Sequence, residues 1–249
     1  MKSRLLLAVL CLYATAAGAC INTYDARLAG HLSTLKYERA NMGPTIQKLE
    51  RAHAANATPE AANDLAVAYI FAGAYDKAIA LLRQLEKTHP GLAKTAANLG
   101  TAFELSGKDA EALHWIKQGI RRDRDEHDGT EWLHVRILEA KRAVARDPDW
   151  LSTHSVLGID FGTRYGGLPR TPPSLPKDAR HKPLTLPEIE RALGYQLTER
   201  IKFVVPPDPY MADLFVDRGH IATLLKAPGA AEYYKAAQLF GPLKDKVRP

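Results

Sequence analysis

Two stretches of the chain match each other at a spacing of 34 residues, and this spacing constrains the fold more than any other feature of the sequence. Four residues of the first stretch fall on four of the second: Leu65, Tyr69, Gly73 and Ala78 on Leu99, Phe103, Gly107 and Ala112. A fixed period of this length is typical of repeat architectures, in which one unit cannot bury its apolar face without a stacked neighbour. We therefore predict that each stretch forms two short amphipathic helices that pack against the next pair.

The residue types at the repeated positions favour closely packed helical pairs. Small side chains at Ala66 and Gly100 let helix axes approach each other, and the rings of Tyr69 and Phe103 fill the groove between successive pairs. Gly73 suits the left-handed backbone that commonly follows a helix C-terminus. The alternative is an ordinary helical bundle with coincidental spacing, but such a bundle need not keep a fixed period.

Residues 59 to 126 resemble tandem tetratricopeptide repeats, in which a large apolar residue precedes a small one, and an aromatic residue, a turn glycine and a buried alanine follow. The first copy has Leu65-Ala66, Tyr69, Gly73, Tyr75, Ala78 and a closing Pro90; the second has Leu99-Gly100, Phe103, Gly107 and Ala112, with Arg124 in place of the proline. The resemblance implies an all-α fold, a tetratricopeptide-like α-solenoid of helical hairpins with a Gly/Pro-rich loop insertion. It also implies a non-catalytic adaptor that holds a peptide or a partner protein.

The chain divides into five predicted segments. Six prolines between positions 169 and 187 exclude long regular elements there, and Thr185, Pro187 and Glu188 form a good helix start. The segments are a signal peptide (1–19), N-terminal capping helices (20–57), tetratricopeptide-like repeats (58–150), a Gly/Pro-rich loop segment (151–187) and C-terminal helices that form a degenerate closing hairpin (188–249).

The N-terminus has the features of an export signal. Lys2 and Arg4 precede an apolar run over 5–13, which is too short to span a bilayer, and Ala17-Gly18-Ala19 offers the small residues that a signal peptidase requires. Cys20 would then be the first mature residue and the only remaining cysteine, so it resembles the lipidated cysteine of a bacterial lipobox. We expect an exported, periplasmic lipoprotein anchored by a lipid on Cys20; plain secretion with an incidental Cys20 is the alternative.

Charge and motifs narrow the function. The chain carries 34 Lys plus Arg against 28 Asp plus Glu, and acidic residues interrupt the basic ones, as in 121–126, so no continuous basic stripe favours nucleic acid as a partner. The sequence has no phosphate-binding glycine-lysine loop, nucleophile elbow, paired-histidine zinc helix or cysteine pair. We therefore expect no catalytic activity and no cofactor.

The resemblance places a partner-binding groove on the first helix of each repeat. The expected groove residues are mostly apolar: Asn63, Val67, Ile70 and Phe71 in the first copy, and Ala97, Thr101, Glu104 and Leu105 in the second. Val67 and Thr101 stand where some family members have asparagines that hold a C-terminal carboxylate. An apolar helix or an extended segment is therefore the expected ligand, unless the loop of this chain fills the groove.

A second group of polar residues supports a different hypothesis, an envelope enzyme or metal-binding protein. His127, Asp128, Glu131 and His134 lie close together in sequence, and His154 and Asp160 follow. Glu131 and His134 share one helix face, so His127, Glu131 and His134 are the candidate metal ligands. The competing interpretation is structural: Asp128 and Thr130 cap the helix, His134 is buried and hydrogen-bonded, and His154 and Asp160 bind loop backbone groups.

Overall fold

The computed structural model of the chain describes residues 28–163 and 167–241, and these residues form an all-α fold. The predicted all-α class is therefore confirmed. The only β pairing in the described part is an isolated antiparallel bridge between Lys177 and Pro183. The predicted signal peptide and Cys20 lie outside the described residues. Within them, no helix combines the length and the apolar character that crossing a membrane requires.

Eleven α-helices follow one another along the described chain. They are α1 (Leu28–Ala40), α2 (Gly43–Ala55), α3 (Pro59–Phe71), α4 (Tyr75–Thr88), α5 (Ala93–Leu105), α6 (Asp109–Arg122), α7 (Glu131–Val144), α8 (Trp150–Thr153), α9 (Leu186–Arg200), α10 (Pro209–Leu224) and α11 (Ala230–Phe240). A 3₁₀ turn over Glu126–Gly129 joins α6 to α7.

The 34-residue spacing reappears in the helix bounds. α3 and α5 have 13 residues each, α4 and α6 have 14 each, and every bound of the second pair lies 34 positions after its counterpart in the first. Gly73 and Gly107, which follow the first helix of each pair, have φ angles of 81° and 77°. The two predicted helix pairs and their left-handed turn glycines are therefore confirmed.

The two pairs share one apolar core with the neighbouring helices. Its members come from α3 to α7 and include Leu65, Tyr69, Leu82, Leu99, Phe103, Ile116 and Leu138. Gly100 lies so close to α6 that an added Cβ would sit 2.4 Å from the Cδ1 atom of Ile116. The small residue is thus a packing requirement at this helix crossing.

A second core surrounds α10, which is buried along most of its length. α7 separates the two cores, because Leu138 belongs to the first and Leu133 and Ile137 belong to the second. The Gly/Pro-rich segment contains no helix between α8 and α9 in its described part, as predicted, yet it inserts Leu157 and Phe161 into this core. The segment is therefore a packed part of the C-terminal half.

α9 starts where the sequence predicts. The Oγ1 atom of Thr185 accepts a hydrogen bond from the Glu188 amide and the Glu188 carboxylate accepts one from the Thr185 amide, which completes a capping box. The helix ends at Arg200, before the prolines that begin at Pro206. The end of α9 reaches the surface formed by α3, α5 and α7, and this placement creates the candidate site.

Candidate functional site

A cleft of about 240 Å³ lies between the first-helix surface of the two repeats and the end of α9. Six of the eight predicted groove residues line it: Asn63, Val67, Ile70, Thr101, Glu104 and Leu105. The other two do not line the cleft. Ala97 is buried in the helix packing, and the Phe71 ring packs edge-to-face against the Phe203 ring at a centroid distance of 5.9 Å.

Another segment of the same chain covers part of the predicted groove, so less of the α3 and α5 surface is open to a partner than the sequence predicts. The covering element is the end of α9 and the residues after it, from Tyr195 to Val204. In its described parts, 158–163 and 167–187, the Gly/Pro-rich loop contributes no residue to the cleft, so these parts do not fill the predicted groove.

Arg39 links the turn after α9 to the N-terminal helices. Arg39 of α1 donates from Nε to the Phe71 carbonyl oxygen at 2.8 Å and from Nη1 to the Phe203 carbonyl oxygen at 3.0 Å. The two phenylalanine rings meet beside these bonds. The wall of the cleft is thus held by hydrogen bonds from the Arg39 side chain to two backbone carbonyls and by aromatic packing.

The cleft has an apolar side. Val67 is 39% exposed, which places it among the few exposed large apolar residues of the described chain. Leu105, Phe203 and Val204, all partly exposed, line the same space. An apolar surface that is concave and partly exposed can take up an apolar group from a ligand.

The floor of the cleft contains a buried carboxylate that faces three cationic side chains. Glu104 is 3% exposed and forms a bidentate ion pair with Arg200 of α9. Its Oε1 atom also lies 2.9 Å from Nζ of Lys141, and its Oε2 atom lies 2.6 Å from Nε2 of His134. This group of side chains joins α5, α7 and α9 through charge.

A line of alternating histidines and glutamates connects this floor to the mouth of the cleft. The second ring nitrogen of His134, Nδ1, lies 3.5 Å from Oε2 of Glu131, and Oε1 of Glu131 lies 2.8 Å from Nδ1 of His127. The His127 side chain is 37% exposed, whereas those of Glu131 and His134 are 6% exposed. His127 is therefore the member of this line that a ligand can reach directly.

Each of the four ionisable groups of the line has its charged form stabilised by neighbours of opposite charge. Burial by itself raises the pKa of Glu104, but Arg200, His134 and Lys141 outweigh it and hold that pKa well below its ordinary value. Burial also opposes ionisation of Glu131, and its two histidine neighbours lower the pKa of its carboxyl nevertheless. Conversely, burial lowers the pKa of His134, but Glu104 and Glu131 raise it above the ordinary value.

Burial likewise acts to lower the pKa of His127, and the hydrogen bond to Glu131 raises it beyond that effect. Its backbone is unusual too, because His127 and Asp128 have φ angles of 52° and 58°, in the left-handed region that side chains with a Cβ seldom adopt. Such backbone costs of order 1–3 kcal/mol per residue and is found preferentially at functional sites. The turn that places His127 at the cleft is thus locally unfavourable.

The predicted cap of α7 is not formed. Thr130 occupies the N-cap position without a side-chain cap bond; its Oγ1 atom donates to the His127 carbonyl oxygen at 2.6 Å and accepts from Nε2 of Gln196 at 3.0 Å. Asp128 instead forms an exposed ion pair with Arg191 of α9. Both residues therefore connect the turn to α9, and the burial and hydrogen bonding expected for His134 are confirmed.

The structure splits the histidine and acid cluster that the sequence suggested. His154 and Asp160 line a different cavity, of about 430 Å³, where His154 stacks on Trp150 at a centroid distance of 4.6 Å. His127, Glu131 and His134 do lie together, but the Glu131 carboxylate stands between the two rings, with Oε1 at 2.8 Å from Nδ1 of His127 and Oε2 at 3.5 Å from Nδ1 of His134. Among the described residues, no group of three or more His, Cys, Asp or Glu side chains has a metal-binding arrangement.

Sequence reasoning missed the residues that α9 and the turn after it bring to the cleft, above all Gln196, Arg200 and Phe203. Arg200 and Glu104 are 96 positions apart, so no local spacing links them. One signal was present: His134 occupies the place in the repeat register where a small residue is expected. A large polar side chain at a helix crossing requires a buried partner.

Comparisons with known proteins leave the function to be argued from this geometry. No protein-family model matches the chain, no curated protein matches it, and no solved structure matches it.

Proposed function

We propose that this protein is a non-catalytic interaction module that binds an extended segment of a partner protein in the cleft between α3, α5 and α9. The observation that supports this is the partly exposed apolar wall of Val67, Leu105, Phe203 and Val204 around a space of about 240 Å³. A few apolar anchors in a concave site commonly dominate the affinity of such contacts.

The covering segment of the cleft favours an extended ligand over a helix. An α-helix is about 10–12 Å wide with its side chains, and the residues from Tyr195 to Val204 already occupy part of the groove in which a helix would lie. An extended strand or loop can insert one large apolar side chain and leave its backbone at the mouth. The expected ligand is therefore the extended segment, with a single main anchor residue.

We also propose that α3–α4 and α5–α6 are two tetratricopeptide-like repeats at the start of a short solenoid. Three observations support this: helix bounds that repeat after 34 residues, positive φ angles at Gly73 and Gly107, and complete burial of Ala66, Ala78 and Ala112. The close approach of Ile116 to Gly100 is the packing that a small residue permits at the same place in the second copy.

Selection from a displayed library of random dodecapeptides tests the binding proposal. We expect the wild-type protein to enrich peptides that share a large apolar residue, and Val67→Lys to lose them, because a charge then occupies the apolar wall. Ala80→Lys is the matched control, since Ala80 is exposed on α4 and does not line the cleft. Failure of the wild-type protein to enrich any peptide, or equal enrichment by Val67→Lys, would refute the proposal.

One observation favours a second candidate function, acid–base or metal chemistry at His127. An imidazole that is partly exposed and held at 2.8 Å by a buried carboxylate is an arrangement that general bases and metal ligands use. Purified protein with one equivalent of Zn, Fe or Mn per chain, lost without unfolding in Glu131→Gln combined with His134→Gln, would favour this function over the interaction module.

We propose in addition that the chain is exported and anchored by a lipid on Cys20. The support is the sequence of the N-terminus, with its apolar run and the small residues before Cys20. Cys20→Ser should move the protein from the membrane fraction to the soluble fraction after cell lysis. Unchanged membrane association would leave ordinary secretion, or retention by a partner, as the explanation.

A further inference from the structure

A second concave surface lies on the other side of α7, between α6 and the 175–181 part of the Gly/Pro-rich segment. Its volume is about 520 Å³, and we call it the α6–α7 pocket. Apolar residues form much of its lining: Ile120, Trp132, Val135, Leu175 and Pro176. The pocket shares no lining residue with the cleft, so binding here is independent of the function proposed for the cleft.

The charged groups around this pocket are predominantly basic. Lys117, Arg136, Lys177 and His181 line it, against one carboxylate, that of Asp178. The Asp178 carboxylate accepts hydrogen bonds of 2.8 Å from the backbone amides of Arg180 and Lys182, which belong to the same loop. The carboxylate therefore serves to shape the loop.

Two of the cations have no partner in the described part of the chain. Arg136 is half-buried on α7 and Lys177 is exposed on the loop, and neither forms an ion pair or a side-chain hydrogen bond there. Lys117 pairs with the exposed Glu139 at 3.1 Å, a contact that water and salt weaken. A half-buried guanidinium has five donors and a preference for carboxylates, so Arg136 is the strongest recognition group of the pocket.

The sequence does not reveal this surface, because its cations come from three separate segments. Lys117 is on α6, Arg136 is on α7, and Lys177 follows 41 positions later in a loop. An isolated bridge between Lys177 and Pro183 and the hydrogen bonds of Asp178 shape that loop, and Arg180 links it to Asp125, just after α6, at 2.7 Å. A basic rim around an apolar floor complements a ligand that carries both carboxylates and apolar side chains.

We propose that the α6–α7 pocket binds an acidic, apolar peptide segment of a partner protein. The carboxylates of the segment pair with Arg136 and Lys177, and an apolar side chain packs over the floor beside Trp132. Because the cations are at least partly exposed, this recognition is sensitive to salt.

Trp132 lines this pocket and the other two tryptophans, Trp115 and Trp150, do not, so the Trp132 indole resonance is the one that binding here should shift. The probe is an acetylated octapeptide of alternating Glu and Leu, titrated into the ¹⁵N-labelled protein at low salt; the control peptide has Gln in place of Glu. We expect the acidic peptide to shift the Trp132 indole signal, and the control peptide to bind at least tenfold more weakly.

Variants separate specific recognition from general charge attraction. Arg136→Gln with Lys177→Gln should weaken the acidic peptide at least tenfold, whereas Lys48→Gln with Lys87→Gln, which removes the same charge from exposed positions on α2 and α4, should change its affinity less than twofold. Three outcomes would overturn the proposal: no shift of Trp132, equal binding of the two peptides, or equal weakening by the two double variants.

Discussion

Glu104→Gln tests whether the buried charges below the cleft hold α9 in place. The substitution keeps the shape of the side chain and removes the one carboxylate that faces Arg200, Lys141 and His134 together. Removing one partner of a buried ion pair costs about 3–5 kcal/mol, because the remaining charge is left buried without compensation. For a chain of this size, that corresponds to a fall of about 6–20 °C in the melting temperature.

The assay is urea unfolding followed by circular dichroism and by tryptophan fluorescence at pH 6. Glu199→Gln is the matched control, because Glu199 also lines the cleft but its ion pair with Lys202 is partly exposed, and we expect it to cost at most about 1 kcal/mol. Arg200→Gln completes a double-mutant cycle with Glu104→Gln. The double variant should lose at least about 1 kcal/mol less than the sum of the single losses.

Histidine titration gives an independent measure on the same variant. Glu104 is the neighbour that most strongly raises the pKa of His134, so this pKa should fall when the carboxylate becomes an amide. A loss of less than about 1 kcal/mol for Glu104→Gln, together with an unchanged pKa of His134, would refute the reasoning that the cluster fixes α9.

The remaining predictions concern pH and helix packing. Because the pKa of His134 is raised in the folded state, its contribution to stability is complete below about pH 6.5 and is lost as the pH rises through the folded pKa. Because the pKa of Glu104 is lowered, its contribution is complete above about pH 4.3 and is lost as the pH falls through the folded pKa. The free energy of unfolding should therefore peak between these limits, and a steady rise from pH 6 to 9 would contradict this. Gly100→Ala should cost about 1–3 kcal/mol in urea unfolding, because its Cβ would meet buried Ile116 at 2.4 Å. Gly119→Ala, whose Cβ meets no atom closer than 3.6 Å, should be neutral or stabilise by up to about 1 kcal/mol; equal effects of both changes would contradict the packing argument.

Local patterns predicted the helical pairs well because their causes are local. Gly73 ends a helix through a backbone conformation that glycine adopts at little cost, and Thr185 with Glu188 starts one through bonds between neighbours in sequence. The cap expected at Thr130 failed for the opposite reason. Gln196, 66 residues away, takes its hydroxyl oxygen as an acceptor.

The sequence likewise predicted one wall of the cleft, on α3 and α5, and missed the wall that α9 and the residues after it form. The resemblance to tetratricopeptide repeats implied that Val67 and Leu105 face a groove on the first helix of each pair, and both residues line the cleft. Phe71 was expected to contact a partner, and a residue of this same chain, Phe203, contacts it instead. Periodicity identifies an apolar face but cannot say which segment covers it.

By itself, the sequence determined the all-α class, the 34-residue period, the turn glycines and the absence of long elements in most of the 151–187 segment, because each depends on backbone preferences and on contacts within about one repeat. Only the tertiary structure decided that α9 narrows the groove and that Glu104 meets Arg200, which lie 96 positions apart. It also decided that Arg136 and Lys177 share one pocket. These pairings depend on how whole helices and loops pack. A buried charge must be paired to be stable, and its partner can come from any part of the chain that packs beside it.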